Sequence, residues 1–217
     1  MILESERKKI VEYGRRMLES GLTTGTGGNI SIFNRKAGLA AITPSSVEYT
    51  RLFPENVLVV DPVGTVVEGS LKPSSETGFH LALYDSRSDI GAVVHTHSPY
   101  AATFACLRRE IPAVHYLVGF AGKKVPLAPY ATYGSEKLAR HIVSSIGEYN
   151  AVLLANHGLV SVGDTVERAF NTAEEIELVA RICYQAECIG TPVLLPDDEM
   201  EHVVEKFKTY GQANNEG

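Results

Sequence analysis

Apolar residues recur at helical spacing through Leu3, Ile10, Val11, Met17 and Leu18, which predicts a helix from Leu3 to Ser20 capped by Gly21. Alternation then takes over. Ile30-Ser31-Ile32 and Leu39 to Ile42 read as paired strands across the turn Asn34-Arg35-Lys36-Ala37-Gly38, and Val57 to Val60 with Val63 to Val67 as a hairpin over Asp61-Pro62. Phe79 to Tyr84 predicts a helix that Ser74 or Ser75 can cap, leaving Glu76 in its first turn, where acidic side chains also serve simply to complement the helix dipole. The run Ala92-Val93-Val94-His95-Thr96-His97, bounded by Gly91 and Pro99, reads as a buried strand followed by a short helix to Leu107. Ala113 to Val118 predicts a strand carrying His115 and Tyr116. Ser135 opens a helix to Ile146, Ala151 to Val162 is a hairpin with His157 near its bend, and Thr165 caps a long helix to Cys188. A last helix runs from Pro196-Asp197 to near Tyr210-Gly211. Short strands joined by tight turns are antiparallel, so the expected fold is α/β, with a largely antiparallel central sheet between flanking helices. No linker, repeat or low-complexity segment divides residues 1–217, which predicts one domain.

Composition narrows the functional classes. Hydrophobic residues make up 44% and charged residues 21%, as in ordinary globular proteins. A net charge of −6 argues against nucleic acid or an anionic membrane as the main partner, although a local anion site remains open. No apolar run approaches the ~18 residues of a membrane span, and the first nine residues are charged where a signal peptide is apolar. Cys106, Cys183 and Cys188 lack paired spacing and read as reduced thiols, which places the expectation in the cytoplasm.

Candidate chemistry centres on His95 and His97. Side chains two apart on a strand project from one face, so both imidazoles can reach one metal ion. An isolated H-x-H is also a common polar pair at a strand end, but His157 offers a third nitrogen at the turn of a second apolar hairpin. Three imidazoles and an open position describe a catalytic, zinc-type site. The segment Thr23-Thr24-Gly25-Thr26-Gly27-Gly28-Asn29 leaves backbone N–H groups and hydroxyls free for an anion, though it is neither a P-loop nor a dinucleotide fingerprint. His80, His141 and His202 read as helix-surface or half-buried residues.

Taken in order, Gly25-Thr26-Gly27-Gly28-Asn29, Thr43-Pro44-Ser45-Ser46, Lys72-Pro73-Ser74-Ser75-Glu76, His95-Thr96-His97-Ser98, Ala128-Pro129-Tyr130 and Asn156-His157-Gly158-Leu159 resemble the class II aldolase/adducin family. The likeness covers nearly the whole chain and is strongest to the branch acting on L-fuculose 1-phosphate. It implies zinc (or Mn²⁺ or Co²⁺) held by His95, His97 and His157, with Glu76 as a resting ligand and as the base in turnover. It also implies a substrate phosphate held by Gly28, Asn29, Ser45, Ser46, Ser74 and Ser75. A homotetramer with sites between subunits, Tyr116 reaching across from a neighbour, and Tyr133 and Tyr210 near the aldehyde end complete the implied site. Ser46 stands where the family pattern has Gly, and Tyr133 where the fuculose branch has Phe.

The implied reaction is reversible cleavage of a ketose 1-phosphate into dihydroxyacetone phosphate and an aldehyde, L-lactaldehyde in the case of fuculose. A metal chelated by the substrate carbonyl and its neighbouring hydroxyl would stabilise the carbanion, so no lysine Schiff base is required. Other readings on the same scaffold are a 5-deoxyribulose-1-phosphate aldolase, a methylthioribulose-1-phosphate dehydratase and a ribulose-5-phosphate 4-epimerase. The epimerase pattern resembles Ser-Ser-Asp where this chain has Ser74-Ser75-Glu76. A non-catalytic adducin-like interaction module lacks the histidine triad.

Overall fold

A computed structural model describes residues 1–209. One mixed sheet of eight strands organises the fold, in the order β4-β3-β2-β1-β5-β8-β7-β6. The strands are β1 (Asn29–Asn34), β2 (Leu39–Ile42), β3 (Leu58–Val60), β4 (Val66–Glu68), β5 (Ala92–Thr96), β6 (Leu127–Ala128), β7 (Ala151–Leu154) and β8 (Gly158–Gly163). Every pairing is antiparallel except the edge pair β6–β7. Among the described residues, six α-helices flank it: α1 (Glu4–Glu19), α2 (Thr77–Ser86), α3 (Pro99–Cys106), α4 (Glu136–Ile146), α5 (Val166–Ile189) and α6 (Asp197–Thr209).

Strand alternation divides the core in two. Ile30, Ala41, Ala92, Val94, Leu153 and Leu159 face one side, where Met17 of α1, Phe104 of α3 and Phe170 of α5 close over them. Ile42, Val60, Val93, Val152, Val160 and Val162 face the other, against Phe79 and Leu83 of α2 and Leu138 and Ile142 of α4. The result is a three-layer α/β fold. The central strands β5 and β8 are covered on both faces, which is why their sequences are almost continuously apolar. Local signals set the helix ends: Ser135 accepts the Leu138 N–H at the start of α4, and Thr165 accepts the Arg168 N–H at the start of α5.

Three expectations need correction. Ala113 to Val118 is not a strand; Tyr116–Phe120 forms a 3-10 turn, with His115 Nδ1 accepting the Leu117 N–H. The segment is drawn away from the sheet because it packs on α6, where a side chain at Gly119 would collide with Val203 and Phe207. Neither Ser74 nor Ser75 caps α2. Glu76 itself holds the N-cap position, while Ser74 Oγ takes the Glu76 N–H and the Ser74 carbonyl takes the Thr77 N–H in a tight turn. His80 is fully buried beneath the sheet rather than on a helix surface. Among the described residues, no helix is long and apolar enough to cross a membrane.

Candidate active site

Strand β1 opposes β5 so that Asn29 lies across from His95. Both side chains project toward the face covered by α2, whose N-terminus presents Glu76. His97 lies one residue beyond the end of β5. The chain leaving it is anchored at once, because the Glu177 carboxylate of α5 accepts the Tyr100 and Ala101 N–H groups at the start of α3. His157 arrives from the β7–β8 turn. Asn156 before it adopts φ 56°, a left-handed conformation that Asn tolerates better than most residues. Two glycines permit the close approaches: a side chain at Gly28 would collide with the His95 carbonyl, and one at Gly158 with the Thr96 carbonyl.

The three imidazoles converge. His95 Nε2 lies 3.0 Å from His97 Nε2, and one nitrogen from each of the three rings lies within 4.8 Å of the others. Glu76 joins them, with Oε2 3.3 Å from His95 Nε2 and Oε1 3.5 Å from His157 Nε2. Burial and the neighbouring His97 hold the His95 imidazole down at about 3. Burial and His95 hold His157 down at about 4, and burial lowers His97. All three rings are therefore neutral near pH 7, the state a metal requires. His95 Nδ1 donates to the Leu159 carbonyl at 2.9 Å, which leaves the Nε2 lone pair aimed at the cluster. Glu76 Oε1 is buried with no hydrogen-bond partner. A divalent cation fits this donor set: three neutral nitrogens and one carboxylate oxygen left unsatisfied in a buried position.

A cleft of about 400 Å³ opens from this cluster. Gly28, Asn29, Ser45, Ser46, Ser74 and Ser75, the six residues expected at a phosphate, all line it, together with Glu76, His97 and His157. Ser46 adopts φ 60°, the conformation for which the family pattern places Gly. The Asn29 amide is committed inside the protein: Nδ2 donates to Glu76 Oε2 at 2.9 Å, and Oδ1 meets His80 Nε2. Tyr130 and Tyr133 line the cleft mouth, 54% and 68% exposed. Tyr116 does not line this cleft; it lies half-exposed on the 3-10 turn, against Phe207. Tyr210 falls outside the described residues. Sequence reasoning passed over Tyr130, Asn156 and His80 as site residues, although an Asn-His-Gly turn between two apolar runs is a legible hairpin signal.

Residues 8–184 match the Class II Aldolase and Adducin N-terminal domain. The chain belongs to this family. It is 54% identical over 212 residues, 98% of this chain and all of the relative, to a 5-deoxy-D-ribulose 1-phosphate aldolase of Bacillus thuringiensis serovar kurstaki. It is 41% identical to a 5-methylthioribulose-1-phosphate/5-deoxyribulose-1-phosphate aldolase of Rhodospirillum rubrum, over 94% of this chain and 92% of that one. A solved L-fuculose 1-phosphate aldolase superposes with a TM-score of 0.94 at 44% identity, covering 96% of this chain and 98% of that one. These relatives mark the chain as a class II aldolase rather than an adducin-like interaction module. Class II aldolases depend on a metal, and the cluster of His95, His97, His157 and Glu76 can supply its ligands.

Proposed function

We propose that the chain is a zinc-dependent lyase cleaving a ketose 1-phosphate reversibly into dihydroxyacetone phosphate and an aldehyde, with 5-deoxyribulose 1-phosphate preferred over L-fuculose 1-phosphate. The observation that carries the reading is the convergence of three neutral imidazoles and Glu76 at the end of a cleft lined with hydroxyls and glycine backbone. The substrate order follows the relatives, two of which are named for 5-deoxyribulose 1-phosphate, and it reverses the order that the family motifs alone suggested. A five-carbon substrate would release a two-carbon aldehyde, smaller than the lactaldehyde from fuculose.

His95, His97 and His157 would hold the ion, with Glu76 as a resting ligand; Mn²⁺ or Co²⁺ would suit the same donors. The bound cation supplies Lewis-acid stabilisation of the negative charge that develops on the substrate oxygens. The chain's own residues do the rest. Gly28, Ser45, Ser46, Ser74 and Ser75 offer the phosphate neutral donors, beside Asn29, whose amide is already held by Glu76 and His80, so the phosphate's binding energy orients the reacting carbons without an arginine clamp. Glu76 is suited to move the proton on the dihydroxyacetone phosphate carbon, because its two oxygens differ. Oε2 is anchored by Asn29, while Oε1 has no hydrogen-bond partner. Tyr116, exposed and away from its own cleft, would serve the C4 hydroxyl of a substrate in a neighbouring subunit of a homotetramer. Tyr133 would border the aldehyde, and Tyr210 is assigned there with it. Residues 1–217 would act as one cytoplasmic domain.

An activity panel of 5-deoxyribulose, L-fuculose and L-ribulose 1-phosphates, read by dihydroxyacetone phosphate release, tests the reading. The expected result is the highest kcat/KM with 5-deoxyribulose 1-phosphate and loss of activity on chelation. No release from any of the three with zinc, manganese or cobalt present would overturn it.

A further inference from the structure

His80 is an imidazole buried where an apolar side chain would cost less, stacked on Phe79 and fully shielded from solvent. It stands four residues after Glu76, and its ring lies beneath the polar side chains of β1. Its two nitrogens are both engaged: Nε2 meets Asn29 Oδ1, and Nδ1 lies 2.7 Å from Ser31 Oγ. Ser31 Oγ in turn lies 2.6 Å from the Tyr84 hydroxyl. Asn29 and Ser31 are two apart on β1 and therefore share the face toward α2.

The direction of every link follows from its end. A carboxylate oxygen only accepts, so Asn29 must turn Nδ2 to Glu76 and Oδ1 away from it. Oδ1 also only accepts, so the proton of the neutral His80 ring sits on Nε2. The Nδ1 lone pair then takes the Ser31 hydroxyl proton, and Ser31 Oγ takes that of Tyr84. Four donors in series point one way, toward Glu76, through residues that are all at least nine-tenths buried. Were the ring proton on Nδ1, lone pairs would face each other at Asn29 Oδ1. The amide would then turn its oxygen on the carboxylate.

We propose that His80 is a positioning residue for Glu76: acting through Asn29, it fixes Oε2 and so aims the unpartnered Oε1 at the reacting carbon. The proposal rests on the reading of Glu76 as the proton-transfer group. It assigns the Asn29 side chain to Glu76 first, ahead of the phosphate.

The test compares His80→Leu, His80→Gln, Glu76→Gln and the double variant His80→Leu/Glu76→Gln in the zinc-loaded enzyme, by kcat, KM, bound zinc and Tm. A positioned base contributes about 10²–10⁴ in rate, so its misalignment in His80→Leu should lower kcat about 10- to 100-fold. KM and bound zinc should stay within about twofold. His80→Gln keeps an N–H donor for Asn29 and should recover most of kcat. Added to Glu76→Gln, His80→Leu should cost no more than about twofold further, since coupled residues are not additive. A folded His80→Leu enzyme with wild-type kcat overturns the proposal. So does a loss shared equally by the Leu and Gln variants and tracking Tm, or one that multiplies onto that of Glu76→Gln.

Should His80→Leu fail to fold, Ser31→Ala replaces it, removing only the hydroxyl that fixes the tautomer. The expected fall in kcat is then about 3- to 10-fold at unchanged KM, and no fall overturns the proposal. Nitrogen-15 NMR of the metal-free protein gives a readout independent of turnover: the His80 proton should sit on Nε2, and a proton on Nδ1 overturns the proposal. Full activity in Glu76→Gln would instead defeat the reading of the site, whereas an inactive Glu76→Gln beside a fully active His80→Leu defeats His80 alone.

Discussion

Acid should destabilise the metal-free protein well before its carboxylates titrate. His95 and His157 are held down at about 3 and about 4 against the ordinary imidazole value of 6.5, and burial holds His80 far below it as well. Their contribution to stability is complete above pH 6.5. Between 6.5 and those lowered values the unfolded chain takes up protons that the native rings refuse, so stability falls as the pH falls. At pH 5 the loss from His95 alone is about 2 kcal/mol, at 1.36 kcal/mol per pH unit below 6.5. His157 and His80 act in the same direction. Ordinary carboxylates titrate near 3.9–4.3, so the window from pH 6.5 to 5 belongs largely to histidine. Urea unfolding at pH 7.5, 6 and 5, at fixed protein concentration with chelator present, reads this directly. The midpoint should drop steadily with an unchanged slope. Zinc should raise it at pH 7.5 and raise it less at pH 5, because a metal takes only the neutral ring. A midpoint that holds or rises from pH 7.5 to 5 would refute the account of neutral imidazoles at His95 and His80, which are buried, and at His157, which is partly buried.

Two further outcomes follow. At Ser46, left-handed backbone costs an L-residue roughly 1–2 kcal/mol, so Ser46→Gly should be about 1 kcal/mol more stable than Ser46→Ala in the same unfolding assay. Equal stabilities would show that the φ of 60° is not a strained feature. Mixing inactive Tyr116→Phe and Glu76→Gln subunits should restore part of the activity if Tyr116 serves a neighbour's cleft, and verified mixed oligomers without recovery would remove it from that role.

Legibility from sequence followed the range of the interaction. The buried strand of His95, the cap residues Ser135 and Thr165 and the turn before His157 depend on neighbours within a few positions, and local pattern was enough to place them. Ala113 to Val118 has the apolar content of a strand. Its second half instead enters the 3-10 turn Tyr116–Phe120, where α6, some eighty residues later, occupies the space beside Gly119. His80 was misplaced for the same reason: its partners Asn29 and Ser31 lie about fifty residues earlier, on a strand whose polar face is recognisable only once α2 covers it. The clue was present in Ile30-Ser31-Ile32. A fully buried hydroxyl in a central strand, beside the buried Ile30, needs a polar mate, and His80 supplies it. The Glu76 N-cap was hidden by chemistry nearer at hand, since Ser74 spent its hydroxyl and carbonyl on the turn instead of the helix end.

The alignment of β1 against β5 has a consequence for how any preparation of this protein is judged. Sliding β1 by one position would send Asn29 and Ser31 to the layer of α1 and α5 and bring Ile30 under Glu76. Such a misthreaded chain could keep its helices, and so much of its circular dichroism, while stranding His80 and the carboxylate above it without mates. Turnover per milligram thus doubles as a census of correctly threaded sheets, which helical content cannot provide.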